Sequence, residues 1–317
     1  MEAPKLEQLL DGVLKVCVAG HVRPDGDSVG ASLGLLQYIH DYDERIQTDV
    51  YLESSPERFS FLPGFSQIKR MGEAGKEYDL FLAVDCADPD RLGEAERYFK
   101  TAKKTVCIDH HISNPGYAQI NYIVPEASSA CELVYRMLDP EHVTKDTAVC
   151  LYTGIVTDTG LFQYSCTSPL TMQIAGELMK TGIPYPQIVK KAFFEMTEPE
   201  LRIKGYAMSA CEKCFDGRCV VSILTLDDMK RFGADLPDLE GIASELRNLE
   251  GIETVVFLHE NADHTYKLSL RSGSDVDVAK IAVTLGGGGH VRAAGATITE
   301  PVEQARERIL SMIAEQM

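Results

Sequence analysis

Short apolar runs alternate with stretches of helical periodicity in the first half of the chain. Buried strands are predicted at residues 14–19, 48–52, 80–84 and 105–108. Between the first two runs, apolar residues recur at helical spacing, as at Val29, Leu33 and Leu36. Strands that alternate with helices in this way predict an α/β domain with a parallel sheet and helices on both of its faces.

The pattern changes in the second half of the chain. Residues 182–186 are rich in Gly and Pro, and Thr197 then precedes a second helical stretch with Pro199 in its first turn. Further on, strands are predicted at residues 218–226, 253–259 and 266–271, with helices near Ala243, Ala279 and Arg306. The sequence therefore predicts three parts: a first α/β domain at residues 1–185, a helical linker at 186–215 and a smaller α/β domain at 216–317.

Composition limits the possible functions. A chain of 317 residues with 44% hydrophobic content can bury a core in each of two domains. The net charge of −17 argues against a large sequence-independent surface for nucleic acid, because such a surface needs clustered Lys and Arg. Any nucleic acid that this protein handles is therefore expected to be short.

The cysteines and the N-terminal residues favour a reducing compartment. The chain has nine cysteines without regular spacing, and its first ten residues contain no basic and apolar export signal. No apolar run approaches the roughly 20 residues of a membrane helix. Cys211 and Cys214 form a C-x-x-C pair, but no second pair follows at zinc-ribbon spacing, so we interpret them as incidental thiols. We expect a soluble cytoplasmic protein.

Polar residues follow the first predicted strand within seven positions. His21, Asp25 and Asp27 lie in a loop that Pro24 and Gly26 shape, just before a helix. Taken singly, Asp27 could cap that helix and Asp25 could be a turn residue. Together, one imidazole and two carboxylates are costly to gather unless a cation neutralises them. A metal site is the better interpretation.

Acidic and imidazole side chains also follow the third and fourth predicted strands. Asp85 comes directly after residues 80–84, and Asp109, His110 and His111 come at the end of 105–108. In a parallel sheet these strand ends meet at one edge, where α/β proteins build their sites. Asp85 is therefore the natural bridging ligand. Asp109 could orient a metal-liganding imidazole by accepting a hydrogen bond from it. Only one of the two adjacent imidazoles is expected to reach the metals, which leaves the other for substrate.

Two further segments have different interpretations. Ser129 and Glu132 match a capping box, which predicts a helix to about Leu138 with a structural role. Asp158 begins an Asp-Thr-Gly sequence like that of aspartic proteases, but only one copy exists and the chain is not all-β. We therefore interpret Asp158 as a further metal ligand.

The second domain carries candidate phosphate donors. Arg271 and Ser272 end a predicted strand, and both side chains donate well to phosphate, although an exposed charge at a strand end is an alternative for Arg271. Gly286, Gly287, Gly288 and Gly289 precede His290. Such a run is either a flexible hinge or a segment whose backbone approaches a ligand closely and forms an anion nest.

These motifs, in order, resemble those of the DHH phosphoesterase superfamily, which includes RecJ nucleases and family II inorganic pyrophosphatases. The glycine run with His290 and Arg292-Ala293-Ala294-Gly295 resembles the DHH-associated C-terminal domain. The resemblance spans nearly the whole chain and is strongest to the bacterial oligoribonucleases that degrade nanoRNA and dephosphorylate adenosine 3′,5′-bisphosphate. The lysine-rich C-terminal substrate site of the pyrophosphatases has no counterpart in this sequence.

The resemblance implies a set of protein ligands for each of two metal ions. His21 and Asp25 would hold one ion, Asp27, His110 and Asp158 the other, and Asp85 would bridge them. Imidazole and carboxylate ligands without sulfur suit Mn²⁺, with Mg²⁺ as the second choice. Two such ions would bind a water as hydroxide and hold the phosphate oxygens, while His111 would contact the phosphate or the leaving oxygen. His111 and Asp109 are the predicted catalytic residues.

The resemblance also implies the substrate class. It predicts a phosphoesterase that cleaves nanoRNA and linear dinucleotides such as pApA and pGpG, and that in addition acts on adenosine 3′,5′-bisphosphate. Arg271, Ser272, the glycine run and His290 would bind the terminal phosphate and its nucleotide. The alternatives are a cyclic-dinucleotide phosphodiesterase, a silent nucleotide-binding module and a structural protein. Only the resemblance points to a homodimer.

Overall fold

The computed structural model describes residues 3–54, 57–70 and 75–317. The chain divides into two compact units, Met1–Glu195 and Met196–Met317. Within the described residues, no helix combines the length and the apolar character needed to cross a bilayer. All nine cysteines are free thiols.

The first unit is built on a parallel sheet of five strands, as the alternation of strands and helices predicts. The strands are β1 (Lys15–Ala19), β2 (Gln47–Tyr51), β3 (Leu80–Val84), β4 (Lys104–Asp109) and β5 (Ile120–Ile123). Their order is β2-β1-β3-β4-β5, and every neighbouring pair is parallel. The edge strand β5 was not predicted, because only one of its four residues is buried and its sequence contains no apolar run.

Helices cover both faces of this sheet. They are α1 (Leu6–Leu9), α2 (Gly26–Tyr42), α3 (Glu96–Thr101), α4 (Ala130–Met137), α5 (Lys145–Asp158), α6 (Pro169–Lys180) and α7 (Tyr185–Val189), which continues as a π-helical turn over Lys190–Phe194. Alternate strand residues enter two cores: Val16 and Val18 pack with α2, α4 and α5, whereas Cys17 and Ala19 pack with Tyr98 of α3. This alternation is the period of two expected of a buried strand.

Close contact between α2 and α5 depends on glycine. Gly26, Gly30 and Gly34 occur every fourth residue and so share one face of α2. A Cβ at residue 30 would lie 2.6 Å from the carbonyl oxygen of Cys150 in α5, and one at residue 26 would lie 2.3 Å from Oγ1 of Thr157. The α5 backbone therefore lies directly against α2, and this contact brings the end of α5 to the beginning of α2.

Ser129 caps α4 as predicted, but Glu132 departs from the predicted capping box. The Ser129 hydroxyl accepts a hydrogen bond from the Glu132 N–H (3.0 Å). The buried Glu132 carboxylate instead accepts hydrogen bonds from the Ser128 hydroxyl (2.8 Å) and the Thr171 hydroxyl (2.7 Å). Glu132 therefore ties the loop before α4 to the first turn of α6.

The second unit contains a mixed sheet of six strands. The strands are β6 (Glu212–Cys214), β7 (Cys219–Leu224), β8 (Thr254–Glu260), β9 (Tyr266–Ser272), β10 (Gly288–His290) and β11 (Ala293–Ile298). The helices are α8 (Glu198–Ser209), α9 (Leu226–Phe232), α10 (Ile242–Leu246), α11 (Val278–Thr284) and α12 (Val302–Ala314). The order is β10-β11-β9-β8-β7-β6, in which only β7 and β8 are parallel. Thr197 caps α8, as predicted.

Each face of this second sheet has its own core. Val256 and Leu270 pack with α11 and α12, whereas Val255 and Phe257 pack with residues of α8 and α10. Part of the glycine run forms the edge strand β10, which the sequence did not predict because glycine disfavours strands.

We predict opposite effects for two glycine-to-alanine substitutions inside helices. Gly30→Ala should destabilise the protein by about 1–3 kcal/mol, because its Cβ would be forced against the α5 backbone. Gly176→Ala is the matched control: no atom lies within 4 Å of a Cβ at this exposed position in α6, so alanine should stabilise the protein by about 0.5–1 kcal/mol. Urea unfolding of the two variants checks the prediction, and equal effects of the same sign would contradict it.

Candidate metal centre

The candidate site lies where three neighbouring parallel strands end. His21 follows β1, Asp85 follows β3, and His110 follows β4. These strands are adjacent in the sheet. After β1 the chain forms β2 on one side of β1 and then crosses over to form β3 on the other side. The crevice at such a switch point is the usual site of ligand binding in open α/β sheets.

Asp85 is at the centre of the cluster and faces an imidazole on each side. Its Oδ2 lies 3.3 Å from Nε2 of His21, and its Oδ1 lies 3.5 Å from Nε2 of His110. Asp85 is 2% exposed and adopts a left-handed backbone conformation with φ of 50°, which is uncommon outside glycine. Its N–H donates to the carbonyl of Ile108 (3.0 Å), so the backbone is fixed to the neighbouring strand end. The two carboxylate oxygens therefore point in two directions.

His21 and Asp25 form one side of the cluster with Asp85. The ring Nδ1 of His21 lies 2.8 Å from the Val22 carbonyl oxygen, which can only accept a hydrogen bond, so Nε2 is free to face Asp85. Oδ1 of Asp25 lies 3.9 Å from Nε2 of His21. Asp25, rather than Asp27, caps α2, because its Oδ1 accepts hydrogen bonds from the N–H groups of Asp27 (3.0 Å) and Ser28 (3.1 Å).

Asp27 is held by the N-terminus of α4. Its two oxygens accept hydrogen bonds from the N–H groups of Ala130 (2.6 Å) and Cys131 (2.9 Å). Unpaired N–H groups at a helix start and the helix dipole both favour a carboxylate at this position. The segment to which the sequence assigned only a structural role therefore positions one of the acidic residues of the cluster.

His110, Asp27 and Asp158 form the other side of the cluster. Nε2 of His110 lies 3.5 Å from Oδ2 of Asp158 and 3.9 Å from Oδ2 of Asp27. Asp158 is the last residue of α5, so the glycine contact between α2 and α5 determines where its carboxylate lies. The sequence-predicted candidates His21, Asp25, Asp27, Asp85, His110 and Asp158 are thus all brought together.

The carboxylates are crowded enough to disturb one another. Burial and the charges of Asp85 and Asp158 raise the pKa of Asp27 well above its usual range, and burial raises the pKa of Asp158 to about 6. Burial would lower the pKa of His110, but hydrogen bonding to Asp85 and the charges of Asp27 and Asp158 raise it to about 10. For Asp85, burial acts to raise the pKa, but hydrogen bonds with His110 and His21 lower it to about 2. Protonated imidazoles thus compensate the carboxylates.

These residues fit divalent cations. Within the described residues, three groups offer ligand atoms that lie within 4.8 Å of one another: His21 with Asp25 and Asp85, Asp27 with His110 and Asp158, and Asp85 with His110 and His111. Carboxylate oxygens and imidazole nitrogens are ligands of first-row divalent metals, and a cation would supply the positive charge that protons supply otherwise. Because Asp85 belongs to both a His21 group and a His110 group, the arrangement suits two ions with one shared ligand.

Asp109 lies behind this cluster, outside the three groups of potential ligands, and both of its oxygens accept hydrogen bonds. Its fully buried carboxylate accepts hydrogen bonds from the His110 N–H (2.9 Å), from Nδ1 of His111 (2.7 Å) and from Nδ2 of Asn114 (2.6 Å). The imidazole that it orients is therefore that of His111. Hydrogen bonding to Asp109 raises the pKa of His111. With Nδ1 engaged, His111 has Nε2 free, and its side chain is 37% exposed.

The sequence-predicted phosphate donors of the second unit have mixed surroundings. Arg271 is half-buried. Arg271 and His290 both pair with Ala293, each from a neighbouring antiparallel strand, so their side chains lie on the same face of the sheet. Two strand spacings separate the two residues by about 10 Å. Among the described residues, no carboxylate lies within ion-pair distance of Arg271, whose guanidinium donates to the Leu270 carbonyl (2.9 Å). Burial lowers the pKa of Arg271. The Ser272 hydroxyl donates to the carbonyl of Val291 (3.3 Å).

The glycine run does not form the predicted anion nest at its beginning. The N–H groups of Gly286 and Gly287 donate to the Val283 and Ala282 carbonyls at the end of α11 (3.0 and 2.8 Å). Glycine is required here for close packing, since a Cβ at residue 287 would lie 2.1 Å from the Gly295 carbonyl oxygen. Gly288, Gly289 and His290 are exposed in β10.

Several residues near the cluster were not singled out in the sequence. Nδ2 of Asn114 contacts both Asp109 and the Cys86 carbonyl (3.3 Å), and Nη2 of Arg91 lies 3.1 Å from Nδ1 of His21. Neither residue belongs to a recognisable local pattern, because Asn114 reaches the site from a loop and Arg91 from the short 3-10 helix Pro89–Ala95. The glycine spacing in α2 was visible in the sequence and could have indicated a close helix contact.

Comparisons with known proteins find relatives that cover most of the chain. Residues 15–155 match the DHH family, N-terminal domain, and residues 216–317 match the DHHA1 domain. The Thermus thermophilus protein named bifunctional oligoribonuclease and PAP phosphatase NrnA is 31% identical over 95% of this chain and 90% of its own length. The Bacillus subtilis protein of the same name is 30% identical over 88% of this chain and 87% of its own length. A crystal structure of an exopolyphosphatase-related protein from Bacteroides fragilis is similar with a TM-score of 0.88, at 26% identity, over 98% of this chain and 94% of that one.

We predict different consequences for two neighbouring acidic residues. Asp85→Asn should abolish the shared ligand, so Mn²⁺ affinity should fall and turnover should decrease by more than about 100-fold. Asp109→Asn should leave Mn²⁺ stoichiometry unchanged and lower kcat by about 10- to 100-fold, because it only misorients His111. Isothermal titration with Mn²⁺, together with kinetics, checks both. Loss of metal from the Asp109→Asn variant alone would reverse the assigned roles.

Proposed function

Because this chain belongs to the DHH family of phosphoesterases, with a C-terminal DHHA1 domain, we propose that it hydrolyses short RNA oligonucleotides and linear dinucleotides such as pApA and pGpG to mononucleotides. Adenosine 3′,5′-bisphosphate is proposed as a second substrate, and the names of two relatives support both activities. The observation that carries the proposal is the position of Asp85, whose two oxygens face two separate imidazoles.

We assign the cluster to two divalent cations. His21 and Asp25 would hold one, and His110, Asp27 and Asp158 the other, with Asp85 shared between them. Mn²⁺ suits this mixture of imidazole and carboxylate ligands best, and Mg²⁺ is the second choice. When bound, such ions supply Lewis acidity that activates a water and binds phosphate oxygens.

The protein side chains around the cluster would orient the reaction. Asp109 holds Nδ1 of His111, so the free Nε2 of a protonated His111 can donate a proton to the leaving oxygen as the P–O bond breaks. Water supplies the new oxygen on phosphorus, and its proton leaves to solvent. The acid would therefore come from a residue whose Nδ1 lies 3.7 Å from Oδ1 of Asp85, directly beside the candidate ligands, and whose side chain is partly exposed.

Arg271, Ser272, His290 and the exposed part of the glycine run, Gly288 and Gly289, are proposed to bind the terminal phosphate and nucleotide. The N–H groups of Gly286 and Gly287 are engaged at the end of α11. Arg271 supports this best, because its guanidinium is half-buried and has no carboxylate within ion-pair distance among the described residues. A half-buried cation without an internal counter-charge is favoured when an anionic ligand provides one. Exposed His290 on the same sheet face would add a second donor. The engaged hydroxyl of Ser272 makes it the weaker member of this set.

Arg271→Ala is expected to raise KM for a 5′-phosphorylated dinucleotide by about 10- to 100-fold, which corresponds to the loss of a charged hydrogen bond. Mn²⁺ binding and kcat should stay near their normal values, since Arg271 is remote in sequence from every candidate metal ligand. Arg308→Ala, which removes a surface arginine paired with Glu300 (3.4 Å), is the matched control. An unchanged KM for the Arg271 variant would remove it from the substrate site.

The proposed substrate class is tested by Mn²⁺-dependent turnover of a panel in one buffer. The panel contains pApA, pGpG, a pentanucleotide RNA, a long single strand, adenosine 3′,5′-bisphosphate, cyclic di-AMP and pyrophosphate, with a chelated control. We expect preference for the dinucleotides and the short RNA. Activity confined to cyclic di-AMP would make the protein a cyclic-dinucleotide phosphodiesterase, and no activity on any substrate would favour a silent nucleotide-binding module.

A further inference from the structure

A rigid loop follows Asp158 at the end of α5. Its backbone is left-handed at three consecutive residues, Gly160, Leu161 and Phe162, with φ of 53°, 58° and 65°. Leucine and phenylalanine adopt this conformation rarely, and such residues persist only where the surroundings enforce it. Strained backbone of this kind clusters at functional sites.

Hydrogen bonds fix the loop from within. The buried Thr159 hydroxyl donates to the Ile155 carbonyl (2.6 Å) and accepts from the Phe162 N–H (3.1 Å). The Leu161 N–H donates to the Val156 carbonyl (2.8 Å), and the Tyr164 N–H donates to the Thr159 carbonyl (3.1 Å). The loop is thus anchored to the last turn of the helix that carries Asp158.

This loop presents an aromatic ring to solvent six residues after the candidate ligand Asp158. Leu161 and Phe162 pack against the hydrophobic core, but Tyr164 is 60% exposed. Its ring lies over Gly160, since a Cβ at residue 160 would be 2.5 Å from Cζ of Tyr164. Gly160 is two residues after Asp158, whose carboxylate contacts His110. The Tyr164 N–H bond to the Thr159 carbonyl and the position of the ring over Gly160 therefore hold the ring on the residues that directly follow Asp158.

A second exposed apolar side chain adjoins the cluster from another loop. Ile112 directly follows His111 and is 88% exposed. A site with charged side chains at its centre and exposed apolar side chains at its edge suits a bound molecule in which an anion is joined to a flat apolar group. A nucleotide is such a ligand, because its phosphate is anionic and its base has π-faces that stack on aromatic side chains.

We propose that Tyr164 is a specificity-determining residue that stacks on a base of the nucleotide substrate. This inference rests on the proposed function and deepens it, because it explains how a phosphoesterase site selects nucleotides over base-free phosphates. The strained, hydrogen-bonded loop holds the ring in position before the substrate binds, which reduces the entropy cost of stacking.

The kinetic test compares Tyr164→Ala and Tyr164→Phe on pApA and on the same dinucleotide with an abasic residue at either position. Tyr164→Ala should raise KM for pApA by about 5- to 150-fold, with kcat nearly unchanged. Of the two abasic substrates, the one that lacks the stacked base should have the same KM with Tyr164→Ala as with the wild type. The position of its missing base therefore identifies which base stacks on Tyr164. Tyr164→Phe should behave as the wild type, because its ring keeps the π-face.

Tyr42→Ala is the matched control. Tyr42 is 42% exposed and is the last residue of α2, whose first turn contains Asp27. At 1.5 Å per residue it lies about 22 Å from that end of the helix. This variant should not change KM for any of the substrates.

A binding measurement separates this inference from the proposed hydrolytic function. The chain contains no Trp, so the fluorescence of 2-aminopurine ribonucleoside 5′-monophosphate can be followed without protein background. With Mg²⁺ present, which unlike paramagnetic Mn²⁺ does not quench fluorescence by itself, the wild type and Tyr164→Phe should quench it by stacking, and Tyr164→Ala should not. That pattern would uphold the stacking role even if no dinucleotide were cleaved. Equal quenching by all three proteins, or an equal KM increase on intact and abasic substrates, would overturn it.

Discussion

The structure depends on holding mutually repelling carboxylates together at one edge of the parallel sheet, where Asp27 and Asp85 are buried. Such a cluster is unfavourable unless each group is fixed and neutralised. Backbone N–H groups do much of the fixing: Asp25 accepts them from the start of α2, and Asp27 accepts them from the start of α4. Asp85 is fixed by its left-handed backbone and its bond to β4. The ligand set is thus largely formed by the fold, and cations would supply the remaining neutralisation.

Each surrounding element has a separate part in this arrangement. The close contact of α2 with α5 brings Asp158 to the cluster, and the bonds of Glu132 hold the helix start that binds Asp27. Asp109 and Asn114 lie behind the cluster and orient His111 without contributing an oxygen to it. Tyr164, on the loop after Asp158, would extend the site from phosphate chemistry to base recognition. The proposed selectivity for nucleotides therefore originates at the same helix end as the candidate metal ligand Asp158.

Much of this could be predicted from the sequence, because strand ends in a parallel sheet converge. The apolar runs before His21, Asp85 and Asp109 predicted the strands, and the parallel sheet brought these residues to one edge. Other features depended on tertiary contacts that no local pattern encodes. The sequence could not show that Asp25 rather than Asp27 caps α2, or that Asp109 orients His111. The nest predicted for the glycine run was wrong at Gly286 and Gly287, since their N–H groups cap a helix that ends beside them.

The central claim is that one carboxylate joins two cation sites, and electron paramagnetic resonance of the metal-free protein titrated with Mn²⁺ tests it most directly. Two ions that share Asp85 should bind per chain and give the multiline spectrum of an exchange-coupled pair, which appears as the second equivalent is added. A stoichiometry of one Mn²⁺ per chain, or two ions with the spectrum of isolated Mn²⁺, would contradict the account.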